Sequence, residues 1–387
     1  MTTTQGPIDV VLVGSSPWSA ELSDDDLNLR TAHALAERLG GRFDVIVPAG
    51  PAMPGRIDRD PVRVHRVEAR SRPGFLLAAR RALRELREPW ETPRRPPVLV
   101  SADPLAALAV ESSRIRHGYP HVMQLQGEVL EPGPGYGGPV KRRMLATATR
   151  FAVRRADAVR AGSRSLWHAA ARLTHRPVEF IGNRVDTRVF RPADGPATGP
   201  DASDAIMLGG LHTAKNHRTV VHAWARVVRS HPDAVLTIIG DGPRRPALEA
   251  LIGCLGLTAN VRLLGRMSQA GVLPLLRASR CLVHASVADG QPRAVLEGMA
   301  CGLPVVCSDL PGHREIVAPG AGLLVPAEDI AAWTGALTTV LGAPERAAAM
   351  GRAGRAYVVE HHDFETNADR MAELIRRVAA VEPQPVS

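Results

Sequence analysis

LVHASVADGQPRAVLEGMACGLPVVCSDLPGHREIV, residues 282–317, holds a strand, a helix and a second strand in succession. The apolar run Leu282–His284 predicts a buried strand, and Val305–Cys307 predicts the next one. Between them, Pro292 begins a predicted helix that ends near Ala300, because proline at a first helical position has a suitable φ and no N–H to leave unpaired. A strand, a helix and a strand in this order predict a right-handed crossover between parallel strands.

The same alternation runs through the rest of the chain. Ile8–Gly14 is a continuous apolar run, typical of a strand buried on both faces, and a helix-length stretch follows from Ser23 to Leu39. Residues 193–204 are rich in Pro, Gly, Ala and Asp, which predicts a linker. We therefore predict an α/β fold of two Rossmann-like, doubly wound parallel-sheet domains that face a cleft. The predicted domains comprise residues 1–192 and 205–363.

Composition and charge narrow the class of protein. The chain has 387 residues, of which 45% are hydrophobic and 22% charged, and these values exclude a disordered or fibrous chain. The formal net charge of +9 suits nucleic acid, a membrane surface or phosphorylated ligands. The arginines are scattered and no basic run is interleaved with aromatic residues, so we expect no nucleic-acid partner. Peripheral contact with a membrane stays open.

Cysteine usage and the N-terminal sequence indicate a cytoplasmic location. The chain has four cysteines without a Cys-x-x-Cys pair, which argues against a disulfide framework and against a metal site. The first residues lack the basic and apolar regions of a signal peptide. No apolar run approaches the ~18 residues of a membrane span. We therefore expect a cytoplasmic protein without a transmembrane segment or a bound metal.

The loop between the strand and the helix of residues 282–317 has the features of a phosphate site. The first turn of a helix presents free backbone amides, which bind phosphate. Glu297 lies eight positions after Asp289, and a carboxylate at this place accepts hydrogen bonds from the hydroxyls of a ribose or a sugar. The spacing alone is equally consistent with a surface aspartate in a turn and an exposed helical glutamate.

These residues resemble the signature of the family 4 (group 1) retaining glycosyltransferases. Asp289-x₇-Glu297 followed by GMACGLPVV is similar to the family's Glu-x₇-Glu pattern, with Asp289 in place of the first glutamate. Further segments resemble other parts of the family pattern in the same order. They are ADAV at 156–159, IGNRVD at 181–186, GGLHTAKN at 209–216, GDGP at 240–243 and GHRE at 312–315.

The resemblance implies a GT-B fold and the transfer of a hexosyl-type group from a nucleoside diphosphate sugar to an acceptor hydroxyl, with retention of configuration. It implies three catalytic residues. Glu297 would hold the ribose hydroxyls, Asp289 would contact the donor sugar, and Lys215 would neutralise the departing diphosphate. The final helix, 364–380, is expected to pack back on the first domain. No cofactor is implied besides the nucleotide sugar, which is a substrate.

The same resemblance assigns the donor-binding residues, and besides Asp289 one further position departs from the family pattern. Gly210 stands where the family has an arginine, and we hypothesise that Arg184 or Arg293 supplies the missing charge. Lys215 is one of only two lysines, so its survival indicates a need for a compact ammonium, although a chance survivor on a loop stays open. The predicted donor-binding residues are Gly209, Gly210, Lys215, Gly240, Gly242, Asp289, Gly290, Gln291, Pro292, Glu297 and Arg184.

The first domain is expected to bind the acceptor. The acidic run after Ser23 either caps a helix, as a capping box of Ser23 with Asp26, or binds a cationic acceptor such as an aminocyclitol or amino sugar. The acceptor is otherwise a natural-product intermediate or a cell-envelope glycan. Gln126 and Glu128 stand where the family often has histidine and aspartate. The predicted acceptor-binding residues are Asp24, Asp25, Asp26, Gln126 and Glu128.

Other functions compete with that of a transferase. A nicotinamide-dependent oxidoreductase needs G-x-G-x-x-G after an early strand, and Gly14-Ser15-Ser16-Pro17 lacks it. A non-catalytic sugar-nucleotide-binding protein on the same fold is motivated by Gly210 and Asp289, the two departures from the family pattern. Donor hydrolysis or transfer by the purified protein separates the binding protein from the enzyme.

Overall fold

The computed structural model describes residues 6–18, 26–50, 55–69, 71–86, 96–127, 129–132, 137–193, 195, 202–287, 292–317 and 320–380. The chain divides into two compact units. The first comprises Met1–Gly182 with Glu365–Ser387, and the second comprises Asn183–Phe364.

Strands and helices alternate along the described chain. The strands are β1 (Val10–Val13), β2 (Phe43–Pro48), β3 (Arg56–Arg59), β4 (Val62–Val67), β5 (Val98–Ser101), β6 (His121–Leu125), β7 (Ala158–Ala161), β8 (Val178–Phe180), β9 (Ala205–Leu208), β10 (Leu236–Ile239), β11 (Val261–Gly265), β12 (Leu282–His284), β13 (Val305–Ser308) and β14 (Gly322–Val325). The helices are α1 (Leu27–Leu39), α2 (Arg72–Glu85), α3 (Pro104–His117), α4 (Pro139–Arg155), α5 (Arg164–Ala171), α6 (His217–Val227), α7 (Arg245–Cys254), α8 (Gln269–Arg277), α9 (Arg293–Ala300), α10 (Pro311–Val317), α11 (Ile330–Gly342), α12 (Pro344–His361) and α13 (Phe364–Ala380).

The first unit is built on one sheet with the strand order β3-β4-β2-β1-β5-β6-β7-β8. Its described strands pair in parallel, except that β3 pairs antiparallel with β4. The central strands are apolar because helices cover both faces, so that each residue of β5 and β7 is buried. The predicted doubly wound parallel sheet is confirmed, with the antiparallel edge strand as an addition.

The C-terminal helix α13 completes the core of the first unit. Met371, Leu374 and Ile375 are buried in one cluster with residues of β1, β2 and α1. Arg38 of α1 binds two carboxylates of α13, with Nη2 2.6 Å from Oε2 of Glu365. The expected packing of helix 364–380 therefore corresponds to a contact inside this unit.

Helix α1 begins later than the sequence pattern predicted. We expected it from Ser23, and it starts at Leu27 with Asp26 as N-cap. The Oδ1 atom of Asp26 accepts hydrogen bonds from the backbone N–H groups of Asn28 and Leu29, at 2.8 and 3.1 Å. Each of the three consecutive aspartates is a suitable N-cap residue, and the helix uses the last of them, Asp26, so it begins later than predicted. Ser23, Asp24 and Asp25 lie outside the described residues.

The second unit carries a six-stranded parallel sheet with the order β11-β10-β9-β12-β13-β14. Leu282–His284 is a strand as predicted, and α9 leads from it towards β13. The helix begins at Arg293, with Pro292 as its N-cap, one residue later than predicted. Trp224 of α6 and Trp333 of α11 are completely buried in the core of this unit.

The unit boundary lies before the predicted end of the first domain at residue 192. The N–H of Val185 donates to the carbonyl of His362, and the carbonyl of Val185 accepts from the N–H of Phe364. Phe190 is buried in a core cluster of the second unit. The end of the predicted linker also belongs to the fold of the second unit, since the N–H of Ser203 donates to the carbonyl of Ala278. Residues 194 and 196–201 of that linker lie outside the described residues.

The packing of α13 predicts that a core change there destabilises the first unit. Ile375→Ala removes a fully buried side chain and is expected to lower the free energy of unfolding by about 2–5 kcal/mol. Hydrogen exchange of the variant should rise in β1 and β2. The matched control is Glu373→Ala, an exposed position of the same helix. Faster exchange confined to the second unit would contradict the assignment.

Candidate active site

Two loops lie against each other at the carboxyl edge of the second sheet. The first follows β9 and contains Gly209 and Gly210, the second follows β10 and contains Gly240 and Gly242, and we call them the glycine loops. The N–H of Leu211 donates to the carbonyl of Asp241 at 3.0 Å. A Cβ atom on Gly240 would lie 1.9 Å from the carbonyl oxygen of Gly209, and one on Gly242 would lie 2.7 Å from that of Leu211. Both positions therefore require glycine for contact between the loops. That they also let the backbone pass close to a nucleotide stays a prediction.

A pocket of about 330 Å³ opens between these loops and the first turns of α9. Its wall is partly apolar, and its polar residues come from the second glycine loop, from the segment after β11 and from α9. Among the lining residues are Gly209, Gly210, Gly240, Asp241, Arg266, Met267, Arg293 and Glu297. The structure thus brings four predicted donor residues, Gly209, Gly210, Gly240 and Glu297, to one pocket within the second unit.

Glu297 is a partly buried carboxylate of this pocket. Its side chain is 17% exposed, because the neighbouring residues of α9, Leu296 and Gly298, pack into the core. Burial raises the pKa of Glu297, and the nearby charge of Arg293 opposes the shift. The Nη2 atom of Arg293 lies 3.5 Å from Oε1 of Glu297. A carboxylate held in this way is ready to accept hydrogen bonds from a ligand's hydroxyls.

The two cations predicted to replace the family arginine lie within electrostatic range of each other. Burial lowers the pKa of Arg184 to about 10, and the positive charge of Arg293 contributes to the shift. At Gly210 a Cβ atom would lie 2.9 Å from Cδ2 of His212, so a longer side chain there would require the exposed imidazole to move. The imidazole of His212 thus lies next to the backbone of Gly210. Which cation serves a ligand stays a prediction.

Lys215 ends a single 3₁₀ turn, Thr213–Lys215, that follows the first glycine loop. Its aliphatic carbons lie over Gly209, since a Cβ atom on that glycine would be 3.6 Å from Cδ of the lysine. Asn216 holds the turn in place with φ of 53° and donates from Nδ2 to the carbonyl of Ala327 at 2.7 Å. The turn therefore positions a half-buried lysine beside the pocket.

Three predicted residues of the donor loop, Asp289, Gly290 and Gln291, lie outside the described residues, as does Glu128 of the predicted acceptor site. In the first unit, Gln126 is exposed where β6 ends, and Asp26 is engaged as the cap of α1.

Sequence reasoning missed a group of buried histidines behind Lys215. His217, His284 and His313 are 5%, 3% and 0% exposed. The rings of His284 and His313 meet edge to face with centroids 5.3 Å apart, and burial lowers the pKa of His217 to about 4, with smaller contributions from Lys215 and His284. These residues are far apart in sequence and form no ligand spacing, so no local signal identifies them.

No group of three or more His, Cys, Asp or Glu side chains in the described ranges is arranged to hold a metal ion. In the same part of the chain, no helix combines the length and apolar composition needed to cross a bilayer.

The lowered pKa of His217 predicts a pH-dependent stability. The unfolded chain binds a proton near pH 6.5, whereas the folded state excludes it until about pH 4, so this contribution is complete above pH 6.5 and is lost as the pH falls towards 4. Between pH 7.5 and pH 5, the unfolding free energy of His217→Gln should fall by about 2 kcal/mol less than that of the wild type. Urea denaturation measures the difference. The control is the exposed His175→Gln, and parallel pH curves for all three proteins would refute the assignment.

Two family descriptions match the chain. Residues 196–357 match the family described as Glycosyl transferases group 1, and residues 28–184 match the one described as Glycosyl transferase 4-like domain. The glycine loops, Lys215 and Glu297 all lie within the first match. The two matches therefore cover large parts of both units.

Curated relatives are similar over part of the chain. A GDP-mannose-dependent monoacylated alpha-(1-6)-phosphatidylinositol monomannoside mannosyltransferase of Corynebacterium glutamicum is 29% identical over 219 residues, 52% of this chain and 57% of that protein. An alpha-maltose-1-phosphate synthase of Mycolicibacterium smegmatis is 30% identical over 307 residues, 70% of this chain and 77% of that protein. The chain thus spans little more than half of the first relative's length.

A solved structure shares the fold over nearly the whole chain. Sucrose-phosphate synthase from Thermosynechococcus elongatus aligns with a TM-score of 0.80 at 19% identity, covering 96% of this chain and 99% of that one. The likeness confirms the predicted GT-B fold. Because both halves match family descriptions and a relative at 30% identity aligns over most of its length, the chain belongs to the group 1 (family 4) glycosyltransferases.

Proposed function

We propose that this glycosyltransferase moves a hexosyl group from a nucleoside diphosphate sugar to an acceptor hydroxyl with retention of configuration. The observation that carries the proposal is the pocket in which Glu297 lies beside two close-packed glycine loops. Such a pocket suits a nucleotide, because loop amides and a helix N-terminus bind phosphates while a buried carboxylate binds vicinal hydroxyls.

The proposed reaction needs positive charge at the leaving group. Cleavage of the glycosyl–phosphate bond leaves a diphosphate anion, and Lys215 beside the pocket would stabilise it together with the amides of α9. Arg293 or Arg184 would add a second cation. In a retaining reaction at the front face, the departing phosphate would take the acceptor proton, so no protein base is assigned. We propose that the transfer is independent of metal ions.

The identity of the donor and acceptor is proposed at the level of chemical class. The mannosyltransferase relative is named as GDP-mannose-dependent, which supports a nucleoside diphosphate hexose as donor. The acceptor would be an amino sugar or aminocyclitol, another natural-product intermediate, or a cell-envelope glycan, bound by the first unit at Asp24, Asp25, Asp26, Gln126 and Glu128. The four free thiols support a reducing, cytoplasmic location.

Donor binding should depend on the charge of Glu297. Glu297→Gln removes an ionised acceptor of hydrogen bonds and is expected to weaken donor affinity about tenfold to a hundredfold. Calorimetric titration with UDP-, GDP- and dTDP-sugars, starting from whichever stabilises the wild type, measures this.

A matched control exists on α7. Glu249 is also a helical glutamate paired with an arginine four residues away, with Nε of Arg245 2.8 Å from Oε1, but it is 52% exposed. Glu249→Gln should bind donor like the wild type. Equal affinity of the wild type and Glu297→Gln would remove the carboxylate from the proposed site.

The rate of glycosyl–phosphate cleavage should depend on Lys215. Lys215→Ala is expected to slow release of nucleoside diphosphate about a hundredfold or more, with a much smaller effect on donor affinity, because the charge it stabilises develops in the transition state. Single-turnover measurement of diphosphate release checks this, with the exposed Arg226→Ala on α6 as control. A wild type that binds donor but neither hydrolyses nor transfers it across an acceptor panel would instead indicate the non-catalytic binding protein.

A further inference from the structure

Helix α4 of the first unit has an unusual composition for a surface helix. Its sequence, PVKRRMLATATRFAVRR, contains six basic residues and no acidic one. One face is buried in the unit through Ala146, Thr149, Ala152 and Val153. The helix therefore packs on the unit with one face and presents the opposite face to solvent.

The solvent-facing side of α4 carries an apolar stripe. Val140, Met144 and Phe151 are 74%, 68% and 46% exposed. At 3.6 residues per turn, these three side chains project within about 40° of one another, opposite the buried face. Surface helices usually present polar residues there. We call Val140, Met144 and Phe151 the α4 stripe.

Cations flank the α4 stripe on both sides. By the same helical geometry, Arg143, Arg150 and Arg154 lie along one side and Lys141 lies on the other. Within the part of the chain that the structure describes, Lys141, Arg143 and Arg154 form no ion pair. The neighbouring Arg155 differs, since its Nε lies 3.4 Å from Oε2 of the buried Glu111. Arg150 donates from Nη2 to the neutral carbonyl of Leu130 at 3.3 Å, which leaves its charge uncompensated. The flanking charges are thus available to an anionic partner.

We propose that α4 docks the protein on an anionic membrane surface. An apolar stripe bordered by Lys and Arg is the arrangement of an interfacial helix, whose apolar side enters the boundary between headgroups and acyl chains while its cations bind lipid phosphates. Nucleic acid would satisfy the cations and leave the stripe exposed to water. A bilayer with anionic lipids satisfies both features at once.

Binding to vesicles tests the proposal without any donor or acceptor, so its outcome is independent of the transferase activity. The full chain is sedimented with phosphatidylcholine vesicles and with vesicles in which about one third of the lipid is phosphatidylglycerol. The wild type should bind the anionic vesicles and lose most of that binding at high salt, because the charge attraction is screened.

Two variants separate the stripe from the charges. Replacing Arg143, Arg150 and Arg154 with Gln should weaken partitioning to anionic vesicles about a hundredfold. Replacing Val140, Met144 and Phe151 with Ser should weaken it at least about tenfold, because apolar burial contributes the rest. Thermal melts establish that both variants fold, which is expected for exposed positions.

The charge control removes three arginines from the second unit. Arg229, Arg346 and Arg352 are exposed there, and their replacement with Gln gives the same net charge as the α4 arginine variant. This control should bind vesicles like the wild type. Equal loss in both charge variants would mean unspecific attraction by a basic protein and would overturn the proposal.

Other partners of the stripe give different results, and each overturns the proposal. Tight binding to duplex DNA without binding to anionic vesicles would identify a nucleic-acid surface. A dimer in light scattering that dissociates in the serine variant, again without vesicle binding, would identify a contact between copies of this chain.

Discussion

The contact between the loops after β9 and β10 is the constraint on which the candidate site depends. Backbone atoms of Gly209 and Leu211 occupy the space where side chains of Gly240 and Gly242 would begin. Because no Cβ atom intervenes, the two loops form one continuous rim of backbone at the carboxyl edge of the sheet. The rim and α9 then define a pocket whose polar groups are held by structure on both sides.

Burial changes the pKa values of two charged or titratable side chains near this rim, those of His217 and Glu297. His217 is buried and its pKa of about 4 keeps it neutral at neutral pH, so the ammonium of Lys215 is the cation of that turn. Glu297 is partly buried and burial raises its pKa, while the charge of Arg293 opposes the shift. A ligand that displaces water from this pocket lowers the local dielectric constant and thereby strengthens its electrostatic interactions with both groups.

Local patterns predicted much of this fold and part of the site. The strand and helix of residues 282–300 follow from apolar runs and Pro292, and the glycines of the loops were identified by their motifs. The sequence does not show why residue 240 must be glycine, because the atom that a Cβ there would meet, the carbonyl oxygen of Gly209, belongs to another loop. The buried histidines, likewise, come together only through the sheet order. Val185 and Phe190 gave no periodic signal, so the boundary between the units could not be placed from the sequence. The start of α1 was ambiguous because consecutive aspartates cap a helix equally well.

The closing of the first core by α13 has a consequence for the order of folding during synthesis. Residues 183–364 are contiguous, so the second unit can bury its core as soon as its own residues leave the ribosome. The first unit is translated earlier, yet its cluster around β1 and β2 stays incomplete until Met371–Val378 emerge. The unit whose synthesis begins first therefore completes its core last, and the apolar face that α13 covers stays exposed in the interval.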